Sequence, residues 1–254
     1  MFSFSKIKLC LYLAMAGYLN IKAQQSLLPH CGTDYNIEQL LKEHPEYAAM
    51  QQKLDDEASN YHASYKTDSI RVIPVVFHII HVYGSENIPK QNVLDQIDNL
   101  NLAYRAWNKD TSKINKIFKG VKADCKIEFR LAKKDPNGKC TEGIERIYSS
   151  LTFNAGDAVK SLSIWNPAKY LNIWVVNDID DGGAPGTILG YATLPMYGNG
   201  NSDGIVMRAD QVNSSSHTLT HECGHYLGLY HTFQGGCGSN CSTTGDRVCD
   251  TPPT

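Results

Sequence analysis

The sequence predicts a mixed α/β (α+β) domain: a twisted, mixed five-stranded sheet backed by two long helices. The run from Val72 to Val82 is almost continuously apolar and rich in β-branched residues, as expected of a central strand buried on both faces. Val93, Ile97, Leu100, Tyr104 and Trp107 recur at spacings of four and three, the stripe of a helix lying against that sheet. Further strand-like runs and one more helical stretch follow, giving a single sheet layer with helices packed on it.

The N-terminal residues stand apart from that domain. Lys6 and Lys8 precede an apolar run of 11 residues, Leu9 to Leu19, and Ile21-Lys22-Ala23 offers small or apolar cleavage positions. Residues 1–23 therefore read as a secretory signal peptide, its apolar run too short to span a membrane. Residues 24–68 read as a propeptide. From Cys31 to about Tyr65 the chain is polar and helix-prone, with Ile37, Leu40 and Leu41 before Pro45 and Tyr47, Met50 and Leu54 after it. That is too few apolar side chains to fold alone. The polar stretch Tyr65-Lys66-Thr67-Asp68-Ser69 marks the boundary.

Within residues 69–254, Pro89 opens the first long helix. Ile127, Phe129 and Leu131 alternate as a second strand, ended by the turn Asp135-Pro136-Asn137-Gly138. Tyr170 to Val176 forms a third strand, and Gly190 to Leu194 and Gly204 to Ala209 two shorter ones near a sheet edge. The second helix runs from about Ser216 to Gly228. Composition is that of a folded globular protein, 42% hydrophobic and 20% charged over 254 residues. A net charge of -2 gives no electrostatic reason to expect nucleic acid or an anionic membrane as partner.

The chemistry is concentrated in His221-Glu222-Cys223-Gly224-His225-Tyr226-Leu227-Gly228-Leu229-Tyr230-His231. Residues four apart on a helix share a face, so His221 and His225 present two imidazoles to one point. Gly228 tolerates the left-handed backbone that ends a helix, and the reversal lets His231 supply a third nitrogen. Three neutral nitrogens leave a tetrahedral zinc one open position, which is a catalytic geometry. Glu222 is placed to act as general base toward a water attacking a carbonyl. Five fixed identities at this spacing arise by chance on the order of once in 10^5 such chains, which disfavours surface histidines satisfied by solvent.

The segment matches the elongated His-Glu-x-x-His-x-x-Gly-x-x-His pattern of metzincins. Together with Ile73-Pro74-Val75-Val76-Phe77-His78, Tyr170-Leu171-Asn172-Ile173-Trp174-Val175-Val176, Gly190-Tyr191-Ala192 and His231-Thr232-Phe233-Gln234-Gly235-Gly236-Cys237, it resembles the pappalysin family, in particular its ulilysin-like branch, over residues 71–254. The resemblance implies a metzincin-like zincin domain and an endopeptidase whose substrate lies extended along an edge strand, here Gly204 to Ala209. The sequence departs from the family in one respect. Metzincins carry a methionine turn after the third histidine, whereas the methionines here are Met1, Met15, Met50, Met196 and Met207. The chain is therefore expected to end before that turn, with its C-terminal part missing, and to expose an apolar side of the zinc helix.

The resemblance also bears on Cys31-Gly32-Thr33, because ulilysin-like proenzymes include forms silenced by a propeptide cysteine. A thiolate is a stronger zinc ligand than water, so Cys31 is the candidate latency switch; the alternative is a disulfide. Cys125 and Cys140 flank the Asp135 turn and are expected to pair. Cys223 is expected to face the core as a free thiol, and Cys237, Cys241 and Cys249 form a trio with one member unpartnered. His217 is expected in solvent, and His78 and His81 packed in the core. Asp246 and Asp250 could ligate calcium, as the resemblance suggests, or be solvated.

The resulting expectation is a secreted zinc metalloendopeptidase proenzyme, extracellular or periplasmic and monomeric. Its partners would be protein or peptide substrates, with neither nucleic acid nor membrane among them. A truncated zinc-binding domain without activity is the alternative, and a zinc hydrolase of non-peptide amides is a further one.

Overall fold

The computed structural model describes residues 29–60, 69–182, 186–195, 200, 202–234, 236, 240–241 and 243–249. The expected signal peptide, the boundary at Tyr65 to Asp68, and Cys237 and Asp250 lie outside the described residues.

The chain builds one mixed sheet. Its strands are β1 (Pro29–Cys31), β2 (Arg71–His81), β3 (Ile127–Leu131), β4 (Ile144–Tyr148), β5 (Leu171–Val176), β6 (Thr187–Ala192) and β7 (Ile205–Arg208). The order across the sheet is β1-β6-β7-β5-β2-β3, and β4 continues beside β2 beyond β3. All five expected strands are present. The sequence reading passed over β1, three residues long, and β4, whose Ile144-Glu145-Arg146-Ile147-Tyr148 carries three polar or aromatic positions among five. Among these strands only β6 and β7 pair antiparallel; β2 pairs in parallel with β3, β4 and β5. Strand β2 is central, with parallel neighbours along both edges, and packing layers on both faces bury residues 75–81, which its unbroken apolar run anticipates.

Alternate residues of β2 serve two cores. Val75, Phe77 and Ile79, all fully buried, join Val93, Ile97 and Leu100 of helix α3 (Lys90–Tyr104) and Leu219 and Cys223 of helix α4 (Thr218–Tyr226). On the opposite face Ile80 packs with Trp174, Val176, Ile188 and Val206 under the irregular stretch around Ala155 and Val159. The two expected helices thus lie on one face only. Cys223 is wholly buried and free, as its position on α4 predicts.

Three expectations are corrected. The stripe of α3 does not extend to Trp107. The helix stops at Tyr104 because Ala106 takes a left-handed φ of 53° and Trp107 N–H turns back to Leu102 O at 2.8 Å. Trp107 is left 64% exposed beneath the Arg105 guanidinium, 4.3 Å away. Second, the segment Gly204 to Ala209 is no edge. Its strand β7 is hydrogen-bonded to β5 on one side and β6 on the other, so β6 carries the outer edge of the domain. Third, Cys125 and Cys140 are both free. Cys125 precedes β3, hydrogen-bonded to Tyr104 O, whereas Cys140 pairs with Lys134 after it. A five-residue strand at about 3.3 Å per residue lies between them. Cys241 and Cys249 form a disulfide.

The N-terminal segment lies against this domain. Its strand β1 runs parallel to β6 along the outer edge, and Gly32 N–H reaches Gly190 O at 2.9 Å. Helices α1 (Thr33–Glu43) and α2 (Tyr47–Ser59) follow, with Ile37, Leu41 and Leu54 packed on Leu194 and Tyr230. Asp55 accepts from Tyr230 Oη at 2.9 Å and pairs with Arg247. The segment borrows its apolar contacts from the domain, as its sparse composition requires.

Candidate metal centre

Helix α4 carries His221 and His225 one turn apart, and its end delivers the third histidine. Gly228, at a φ of 99°, reverses the chain, and Gly228 N–H caps His225 O at 2.8 Å. Leu229 N–H then returns to Gly224 O at 2.9 Å, which folds His231 back over the helix. The three Nε2 atoms form a near-equilateral triangle: 3.0 Å between His221 and His225, and 3.2 Å from each to His231. Cys31 Sγ lies within 4.8 Å of all three, so β1 brings a fourth donor to the same point.

The hydrogen bonds behind the rings define their protonation. His225 Nδ1 faces Leu229 O at 2.7 Å, and a carbonyl only accepts, so this nitrogen carries the proton. His231 Nδ1 faces Asp34 Oδ2 at 2.8 Å and donates likewise. On His225 and His231 the Nε2 is then left as a lone pair aimed into the triangle. Burial also lowers the His225 pKa to about 4 and shifts His221 downward, which keeps both imidazoles neutral. Converging lone pairs repel unless a cation lies between them, and nitrogen with thiolate is a donor set suited to zinc. The residues present therefore fit the metal that this motif implies.

Glu222 lies beside the triangle, wholly buried. Its Oε2 accepts from Thr33 Oγ1 at 3.1 Å and contacts Cys31 Sγ at 3.6 Å, while Oε1 has no hydrogen-bond partner among the described residues. Desolvation raises the carboxyl to about 7, only partly offset by the Cys31 and Thr33 contacts. Burial, reinforced by the Glu222 charge, pushes the Cys31 thiol up as well. Gly190 of β6 leaves this carboxylate room, since a Cβ there would stand 3.1 Å from Glu222 Cγ, tighter than ordinary contact.

His221, Glu222, His225, His231 and Cys31, all singled out from the sequence, meet in one place. Two participants escaped that reading. Thr33, fully buried, also accepts from Ala192 N–H of β6 at 3.0 Å, and Asp34 backs His231. Both follow Cys31 within three residues, so a thiol reaching the centre was the available clue. His217 is exposed, and His78 and His81 are buried. His78 is bonded at both nitrogens, to Glu145 and Asn172. Asp246 caps Val248 N–H at 3.0 Å and belongs to no metal-donor cluster among the described residues.

Comparison with known proteins agrees with this geometry. The family model described as Peptidase_M43, pregnancy-associated plasma protein-A, matches residues 155–254. An extracellular metalloprotease of Neurospora crassa is 40% identical over 96 residues, 33% of this chain and 30% of the relative. Another from Colletotrichum graminicola is 49% identical over 82 residues, 27% of this chain and 28% of the relative. The matched segments thus span under a third of these curated relatives. Among solved structures, a promirolysin mutant of Tannerella forsythia superposes with a TM-score of 0.74 at 30% identity, over 87% of this chain and 75% of that one. Mature mirolysin of the same organism, in complex with a cleaved peptide, gives 0.65 at 32% identity, over 74% and 73%. Sequence, fold and the arrangement around the histidines lead to one conclusion: the chain belongs to the pappalysin family of metzincin metallopeptidases.

Proposed function

We propose that the chain is a secreted zinc endopeptidase in proenzyme form. In this reading His221, His225 and His231 hold zinc, Glu222 is the general base, and Cys31 is the thiol that silences the centre. The observation that carries it is the convergence of three Nε2 atoms beside a buried carboxylate raised to about 7. A base that titrates near neutral pH is suited both to accept a proton from water and to return it to a leaving amine. Zinc, when bound, supplies Lewis acidity toward the scissile carbonyl and the attacking water.

The chain's own residues do the rest. Glu222 Oε2, 3.6 Å from Cys31 Sγ, is the oxygen nearest the position that the thiol holds, and it becomes free to take the proton there once residues 29–34, Thr33 included, have left. A substrate peptide would occupy the outer edge of β6, where Gly32 N–H and Thr33 Oγ1 now satisfy Gly190 O and Ala192 N–H. Residues 29–34 thus stand where substrate would lie, which supports reading residues 24–68 as a propeptide and 69–254 as the catalytic domain. Residues 1–23 as a signal peptide fit relatives named as extracellular, and no helix among the described residues is long and apolar enough to cross a membrane. The bound peptide of mature mirolysin supports protein or peptide substrates. Calcium in the loop of Asp246 and Asp250 is a subsidiary part of the proposal, supported by two carboxylates within one short polar stretch.

Casein or gelatin hydrolysis tests the reading. Removal of residues 24–68, or Cys31→Ala, should raise the rate, and a zinc chelator should abolish it. Equal rates with and without the thiol would reject the Cys31 role, and zinc uptake without turnover would identify an inactive binding domain instead.

A further inference from the structure

Among the described residues, the third histidine is held differently from the other two. His221 and His225 are aimed by a helix, and Leu229 O fixes the His225 ring. His231 stands on the loop beyond Gly228, with its backbone N–H 3.4 Å from Gln234 Oε1 and its ring stacked at 4.7 Å on Phe233, itself 58% exposed. The short polar contact to the ring comes from elsewhere: Asp34 Oδ2, 2.8 Å from Nδ1, on the N-terminal segment.

We propose that Asp34 is an outer carboxylate of the metal centre, lent by the N-terminal segment, which orients His231 and strengthens zinc binding in the unprocessed chain. The inference rests on reading His231 as a zinc ligand. A carboxylate behind an imidazole fixes its tautomer and raises its basicity toward a metal. Asp34 is well held for that task. It occupies the first turn of α1, where a negative charge is favoured, and Ile37 one turn on is buried against Leu194 and Tyr230. The same segment grips the residue before His231, since Gln51 and Asp55 both bond the Tyr230 hydroxyl. Asp34 Oδ1 is buried with no hydrogen-bond partner among the described residues. The side chain as a whole is 40% exposed, so Asp34 reaches solvent on one side and the His231 ring on the other. With Cys31 at the same point, the segment contributes one donor and one outer carboxylate, so its departure should loosen the metal as it opens the site.

Competition for zinc against a chromophoric chelator, with the unprocessed chain, tests this. Asp34→Ala should weaken zinc binding by about 10- to 100-fold, and Asp34→Asn, which keeps an acceptor but not the charge, by less. The loss should persist in a Cys31→Ala background, and the metal-free protein should remain folded, with only the small fall in melting temperature that loss of a first-turn charge and one hydrogen bond gives. Glu38→Ala, an exposed change on the same helix, serves as control and should bind zinc as the parent does. An affinity for Asp34→Ala within about twofold of the parent would overturn the proposal. His231→Ala separates the two layers: undiminished zinc binding there would overturn the ligand reading, and this inference with it.

Discussion

Glu222 lies buried with one oxygen unpartnered, and desolvation lifts its carboxyl to about 7. Glu145, on the other side of the sheet, accepts from His78 Nδ1 at 2.7 Å, Ser163 Oγ at 2.8 Å and Trp165 Nε1 at 3.1 Å. The His78 bond, foremost, draws its carboxyl from 4.5 to about 2. Opposite surroundings thus fit one glutamate for proton transfer and keep the other ionised. The Glu145 effect is a stability term. Because the folded value lies below the unfolded one, the term is complete above about pH 4.5 and disappears as pH falls toward 2. Glu145→Gln should therefore flatten the fall in melting temperature between pH 4.5 and 2. An unaltered slope would show that the His78–Glu145 pair does not couple to folding. Neither the pair nor Thr33 and Asp34 were legible beforehand, since each joins residues whose proximity depends on strand register or on how the N-terminal segment docks.

At the scale of elements, patterning predicts what is local. The apolar run of β2, the stripe of α3 and the glycine that ends the zinc helix all express periods or backbone preferences within a few residues. One failure was local, the left-handed turn at Ala106 that ends α3 before Trp107; the others were non-local. Whether Gly204 to Ala209 lies at an edge depends on which strand pairs beyond it, and the short polar look of that run concealed its place between β5 and β6. The Cys125–Cys140 pairing likewise looked sound only without the length of β3 between them. Helix α3 supplies a direct test of the packing, because Leu100 is fully buried against the sheet. Leu100→Ala should cost about 2–5 kcal/mol in chemical denaturation, through lost burial and the cavity left behind. A loss near zero would mean that α3 does not close the core as described.

At the scale of the molecule, the N-terminal segment and the domain form one arrangement. The segment adds a parallel strand to the outer edge, places Cys31 among the histidines, engages Glu222 through Thr33 and backs His231 through Asp34. The convergence of the three histidines was legible in the sequence, because it follows from helical spacing and one turn. In the proposed function, ligation and catalysis are separate tasks, given to the histidines and to Glu222. The most direct measurement is zinc content beside peptide hydrolysis for Glu222→Ala and His225→Ala, each freed of residues 24–68. Glu222→Ala should keep about one zinc while losing about 10²- to 10⁴-fold or more in rate, and His225→Ala should lose both. A Glu222→Ala protein that binds zinc and retains most of its rate would contradict the account.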